Sequence, residues 1–335
     1  MFSKLLEGLY HKIFINIVIG ISSSVVYVEE YEKQKLLGTY SETFNTTTID
    51  TKMYEYIKSF TSESPYNYIA LLDNSLIQGA IPTCEKKDMS NYFDKDSSKY
   101  ICYQNRWASY SSKPELNFLQ KTYSTVGLDF IFSPFSILSR FFKDKINSTL
   151  ALYILIEEQR ISLAVFDNAE LLYADYLKMD TIQESEDVLL YENADDDIDL
   201  DLENSIDLDD IESIDSLENF GDIEDLDTLD DIDEFSEAQE TEEEIEENAD
   251  ESSIDDIDGF NEDYNRFTRV QHSINNYYKD ARYESKFLEK IYIADSVGSS
   301  RELKRYFEEE MFLSVYVRRL DLSAEVCEIA KAETI

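Results

Sequence analysis

The sequence predicts an α/β protein of two similar lobes, interrupted by one long acidic insertion. Three observations carry this. Residues 13–44 and 150–179 each read as a three-stranded antiparallel meander, and each meander is followed by alternating helix and strand patterns. No Lys or Arg occurs between Lys178 and Arg266, while thirty-eight of the seventy-two acidic residues fall between Glu184 and Asp263. Without that tract, thirty-four Asp and Glu face thirty Lys and Arg, a formal charge of −4 in place of −42. The remainder has an ordinary globular balance, long enough for one large domain or two lobes with their own cores.

A short amphipathic lead (Phe2, Leu5, Leu6, Leu9) precedes the first strand, residues 13–21, a continuous apolar run. Its IFINIVIGI stretch has the hydropathy of a signal-peptide core. Asn16 interrupts it, however, no small-residue cleavage site follows cleanly, and nine residues cannot span a bilayer. It reads as a buried strand. Ser22, Ser23 and Ser24 turn the chain into a second strand at Val25–Glu29, and Lys35–Phe44 forms a third. Met53, Ile57 and Phe60 give residues 49–61 helical spacing. Tyr68–Leu72 and Ser75–Pro82 read as strands. Residues 85–113 are polar and Tyr-rich, with short strands at Tyr100–Tyr103 and around Trp107–Tyr110. Glu115–Val126 is an amphipathic helix closed by Gly127. Leu128–Phe132 is a strand, and Pro134 opens a helix to about Lys145, at a position where its missing N–H is not needed.

The second lobe repeats the start: Leu150–Ile156, a turn at Glu157, Glu158 and Gln159, then Ile161–Phe166 and Leu171–Met179. Beyond the acidic tract, Tyr264 to about Tyr278 reads as a helix, with a second at 280–288. A strand at Lys290–Ala294, a helix at Ser300–Met311 and a last strand at Val315–Arg318 follow.

Repulsion between closely spaced carboxylates predicts that residues 183–263 form a disordered, low-complexity insertion. Apolar residues do recur there every third position, from Ile211 through Ile214, Leu217 and Phe220 to Phe235. A strict period of three drifts around a helix and gives no stable stripe. The tract reads either as a solvated linker or as a segment that folds onto a basic, apolar-grooved partner. A calcium loop does not fit, because Ile254 and Asn265 stand at the first and last ligand positions around Gly259. Nucleic acid does not fit either, since its phosphates are repelled.

Elsewhere the chemistry is sparse. Cys84, Cys102 and Cys327 are too few and too scattered for a disulfide framework or a zinc site. With only His11 and His272 and no G-x-S-x-G, nothing supports a Ser-His-Asp arrangement. Glu157 and Glu158 read as a solvated hairpin turn. The 24 Tyr and 19 Phe read chiefly as packing, with the Tyr-rich 92–110 stretch an alternative partner surface. Arg318 and Arg319 form a small basic surface pair.

The succession ISSSVVYVEE, STVGLDFIFSPFSILSRFF, a second meander and IYIADSVGSSRELKRYFEEEMFLSVYV resembles the actin-like (ribonuclease-H-like) fold. Within it, the pattern is most similar to the PilM and GspL group of type IV pilus and type II secretion assembly platforms. The resemblance spans residues 11–180 and 264–320. It implies a duplicated two-lobe fold: a first lobe at 1–148 with an irregular subdomain at about 66–112, a second lobe at 149–182 and 264–335, and the insertion at 183–263.

The resemblance also implies where a nucleotide would sit. Members that bind ATP place an Asp before the first Ser-rich turn, an Asp-x-Gly in the second meander and glycines in the last loop. Backbone N–H groups cradle phosphates, and an acidic residue orients hydrated Mg²⁺. Here those places hold Ile19, LIEEQRIS, and Asp295 with Ser296. Ser22, Ser23, Ser24 and Gly298 remain as candidate vestigial nucleotide-loop residues. The expectation is therefore no catalytic residue, no metal and no cofactor, with ATP disfavoured.

The implied role is a cytoplasmic scaffold, peripheral at the inner membrane. It reaches the membrane only through partners: a PilN-like assembly protein and a secretion-type ATPase complex. The partner's tail is expected between the meander (13–44) and residues 66–110. The alternatives are a divergent actin-fold ATPase or phosphotransferase, and a regulatory protein whose acidic tract is the working part.

Overall fold

A computed structural model describes residues 11–33, 35–179, 255–298 and 301–334. The predicted lead at Phe2–Leu9 and the tract from 183 to 254 lie outside the described residues, and so do the readings made of them.

The first lobe begins with β1 (His11–Ile19), β2 (Ser24–Glu32), β3 (Lys35–Phe44) and β4 (Tyr66–Leu72). Next come three short strands, β5 (Gln78–Ile81), β6 (Ser98–Tyr103) and β7 (Trp107–Ser112), and then β8 (Phe130–Phe132). The second lobe contributes β9 (Ala151–Ile156), β10 (Arg160–Asp167), β11 (Glu170–Lys178), β12 (Lys290–Asp295) and β13 (Ser314–Arg319). Two five-stranded sheets result, ordered β3-β2-β1-β4-β8 and β11-β10-β9-β12-β13. In each, the meander strands are antiparallel and the last two strands run parallel to the first. One order with one set of directions, used twice, defines the actin-like duplicated fold expected from the sequence.

Alternation along the strands builds three layers. Ile13, Ile15, Ile17 and Ile19 point outward, against helices α1 (Thr51–Thr61) and α2 (Lys113–Thr122). Leu152, Ile154 and Ile156 do the same in the second lobe. Phe14, Ala70 and Leu72 from one sheet, and Tyr153, Leu155 and Ala294 from the other, face a shared core between the lobes. Asn16, which breaks the apolar run, lies fully buried on this inner face and donates to the Tyr27 carbonyl at 3.3 Å.

The helices differ from expectation in instructive ways. The helix opened by Pro134 breaks at Phe142 into α3 (Pro134–Phe141) and α4 (Lys143–Ile146), because Phe142 turns into the inter-lobe core. The next helix, α5 (Asp255–Lys279), starts nine residues before Tyr264, so residues 255–263, expected to be disordered, are helical. Residues 280–288 are irregular. There the Tyr277 and Tyr278 hydroxyls accept from the Lys286 and Leu288 N–H groups, at 2.7 and 3.1 Å. After α6 (Arg301–Glu310) and β13 comes a helix the sequence reading missed, α7 (Leu322–Glu333), capped by Asp321 through the Ser323 and Ala324 N–H groups.

The closing helices are exchanged. After β8, α3 packs against β9 and β10 of the second sheet, whereas α7, after β13, packs against β1, β2 and β4 of the first. A polar knot fixes α7. Lys331 Nζ lies 2.8 Å from Glu29 and 3.0 Å from the Tyr31 hydroxyl, while the Tyr27 and Tyr31 hydroxyls donate to the same carboxylate. Burial alone would raise the Glu29 carboxyl, but Lys331 and the two tyrosines hold it below the usual carboxylate range.

The small sheet, ordered β5-β7-β6, has its own core of Ile81, Met89, Phe93 and Ala108. Phe93 stacks on Tyr110 at 4.4 Å, and Trp107 meets Phe166 of the second lobe at 5.8 Å. Most of the Tyr-rich stretch is thus packing. Arg318 forms a two-contact pair with Asp144 at 3.0 and 3.2 Å.

Candidate functional site

The carboxyl ends of the central strands meet at a cavity of about 990 Å³ between the lobes. In open α/β sheets, ligands bind in the crevice at such strand ends. The β1–β2 turn, the β9–β10 turn, the loop after β12 and the start of α7 all line it. Of the four predicted loop residues, Ser23 and Gly298 face the cavity. Ser22 is exposed outside its lining, and Ser24 starts β2 with its hydroxyl donated to the Thr46 carbonyl at 2.7 Å. Ile19 is buried in the outer core, with no charge to offer a metal.

Backbone N–H groups of these loops are engaged by the protein's own carboxylates at Ile21, Val297 and Gly298. Glu158 Oε2 accepts from Ile21 N at 3.1 Å, reaching from the second lobe's turn to the first lobe's. It approaches so closely that a Cβ on Gly20 would stand 2.8 Å away. Asp295, buried at the end of β12, accepts from Val297 N at 3.1 Å and Gly298 N at 2.8 Å. Gly298 has φ +86°, a left-handed conformation that places its N–H on that carboxylate. Ser296 spends its hydroxyl on the Ile156 carbonyl at 2.7 Å. Asp321 holds the first N–H groups of α7 at 3.0 and 3.1 Å. Protein carboxylates therefore occupy N–H groups of all three elements, the β1–β2 turn, the loop after β12 and the start of α7.

The predicted solvated turn holds for Glu158, which is exposed, and is corrected for Glu157. Glu157 is only 9% exposed, because the alternation that sends Tyr153 and Leu155 into the inter-lobe core sends Glu157 the same way. Burial, opposed by Arg160 and aided by Asp73 and Glu158, pushes its carboxyl up to about 7. Its Oε1 has no hydrogen-bond partner among the described residues. Arg266 on α5, 5% exposed, reaches Asp263 at 2.8 Å and also Glu262. Sequence reasoning missed Glu157, Asp263, Arg266 and Asp321. The only signal for them was position, at strand ends and the first turns of helices.

A second groove, of about 540 Å³, runs between β6 and β8, the edge strands of their sheets. Lys95, Lys99, Tyr100, Ile101, Lys113 and Phe130 line it. Its two carboxylates accept backbone N–H groups, Asp129 from Ile69 N at 2.8 Å and Asp73 from Ser75 N at 2.9 Å, and Lys95, Lys99 and Lys113 outnumber them, so the groove is net basic by one formal charge. No residue of the 13–44 meander lines it. Among the described residues no cluster of His, Cys, Asp and Glu is suited to a metal, and no helix is long and apolar enough to cross a membrane.

Fold and site together define a two-lobed actin-like protein whose strand-end loops hydrogen-bond to its own carboxylates. Residues 152–334 match the model of a domain of unknown function, DUF8341, and the chain belongs to that family. Residues 10–139 match a second domain of unknown function, DUF8569. No curated protein matches. Among solved structures, the chain is similar to a Bacteroides thetaiotaomicron protein with actin-like ATPase fold and unknown function, at 9% identity and TM-score 0.45 over 96% of each chain. It is also similar to the PilM–PilN type IV pilus biogenesis complex, at 10% identity and TM-score 0.47 over 94% of each chain. MreB 5 of Spiroplasma citri bound to AMPPNP matches at 10% identity and TM-score 0.41, over 96% of this chain and 95% of that one.

Proposed function

We propose that the chain is a binding scaffold built on an actin-like frame, not a nucleotide hydrolase. The observation that carries this is the engagement of Ile21, Val297 and Gly298 N–H groups by Glu158 and Asp295. A phosphate arriving there would lose those donors and meet negative charge. The working surface is the basic groove between β6 and β8. Extended backbone can pair with an edge strand there, and the lysines select an acidic or carbonyl-rich segment.

The pattern resemblance to PilM and GspL supplies the setting: the cytoplasmic face of an inner membrane, where the groove holds the short tail of a PilN-like assembly protein within a secretion-type ATPase complex. The test is a photo-crosslinking residue at position 101, whose isoleucine is 58% exposed in the groove, introduced into the full chain in native membranes. Crosslinking to the tail of a small bitopic membrane protein supports the reading. Absence of any envelope protein at position 101, together with saturable Mg-ATP binding by calorimetry, overturns it in favour of an ATPase.

A further inference from the structure

The inter-lobe cavity remains once nucleotide is set aside, and its chemistry is specific. Five carboxylates line it (Glu157, Glu158, Glu262, Asp263 and Asp321) against the guanidinium groups of Arg160 and Arg266. With the loop N–H groups engaged, the cavity repels anions and attracts cations.

Two polar atoms there are buried and without a hydrogen-bond partner among the described residues. One is an acceptor, Glu157 Oε1, on a residue 9% exposed. The other is a donor, Arg266 Nε, on a residue 5% exposed. Buried polar atoms are normally paired, so each marks a place for a ligand atom. The acceptor takes an ammonium or guanidinium, and the donor takes a carbonyl oxygen. A simple oligoamine supplies the first and not the second; a peptide supplies both.

We propose that the inter-lobe cleft binds a basic peptide segment of a partner protein, with a Lys or Arg side chain on Glu157 and a backbone carbonyl on Arg266 Nε. This site is separate from the groove between β6 and β8 and does not depend on it. Glu157 is faced by Arg160, Asp73, Glu158 and Tyr176, and its raised carboxyl makes binding proton-linked. A cation favours the ionised form, so affinity rises with pH through about 7 and binding releases protons.

The test uses the full chain and a photoreactive probe peptide, acetyl-Gly-Arg-Bpa-Lys-Gly-amide (Bpa, benzoylphenylalanine), with attachment sites read by mass spectrometry. Attachment within 18–25, 157–160 and 262–266 is expected. It should weaken about tenfold in Glu157→Gln, the loss of one charge-assisted pair. Thr43→Trp, an exposed edge-strand position at the cavity mouth, should block it without touching either unpaired atom. Attachment confined to residues 183–254 means charge attraction by the acidic tract only and overturns the proposal. Full displacement by spermidine at the peptide's own concentration also overturns it, in favour of an amine site. Cleft attachment that is insensitive to both variants overturns it too.

Discussion

The Glu158 carboxylate accepts a hydrogen bond from the Ile21 N–H across 3.1 Å, joining residues 137 positions apart and the two equivalent hairpin turns of the molecule. In a duplicated fold those turns face each other across the cleft, so one carboxylate both occupies an N–H group of the first turn and ties the lobes together.

Glu158→Ala frees the Ile21 N–H and removes a negative charge beside it. Affinity for inorganic phosphate should rise about tenfold, read from the amide shift of Ile21 on titration. An unchanged or weaker phosphate response rules out a cradle held shut by Glu158.

The buried Glu157 titrates in the opposite sense to most carboxylates. Its folded value near 7 exceeds its ordinary value of 4.5, so the folded state holds the proton more tightly. Stability from this group is full below about pH 4.5 and falls as pH rises toward 7. Glu157→Gln should therefore stabilise the protein at pH 8, by up to about 3 kcal/mol, and make no difference at pH 4. Melting temperatures of the pair at both pH values check the sign.

The knot at α7 behaves the other way. Glu29 is held below 4.5, so its contribution is present above that value and is lost as pH falls through the depressed one. Lys331→Met leaves a buried carboxylate unpaired and should cost about 3 kcal/mol. The loss should shrink in acid. Hydrogen exchange should show α7 opening before either sheet, and uniform opening would argue against a local knot.

Tyr153 is fully buried where the lobes meet, with Phe142, Phe166 and Tyr292 rings 5.4–5.9 Å away and its hydroxyl donated to the Thr149 carbonyl. Tyr153→Ala should cost about 3–5 kcal/mol, and Tyr153→Phe only about 1 kcal/mol. Denaturant unfolding separates ring packing from the hydrogen bond.

The duplicated meander, the strands and the cleft position were legible because alternation and turn residues are local signals. Ile13 to Ile19 announces a two-sided strand, and the Ser22–Ser24 turn follows from composition. What the sequence concealed was relational. Nothing near Glu158 marks it as a partner of Ile21, and nothing near Glu157 marks it as buried. Both follow from strand parity and from the distant lobe. Helix α7 was missed because its signal, Asp321 as a cap before spaced apolar residues, is short and weakly amphipathic. Its place on the first sheet could be read only from the fold. That a groove opens between β6 and β8 could not be read from the sequence, because which edge of the small sheet stays open depends on how β7 pairs.

The exchange of closing helices has a consequence for synthesis. The first sheet is complete in outline once Phe132 is made, but the helix that covers its inner face begins at Leu322, about 190 residues later. At roughly 5–20 residues per second, the emerging chain carries Phe14, Ala70 and Leu72 uncovered for on the order of ten to forty seconds. The acidic tract is translated within that interval. Its thirty-eight carboxylates provide like-charge repulsion between neighbouring nascent chains during the period when their unfinished sheets are most prone to associate.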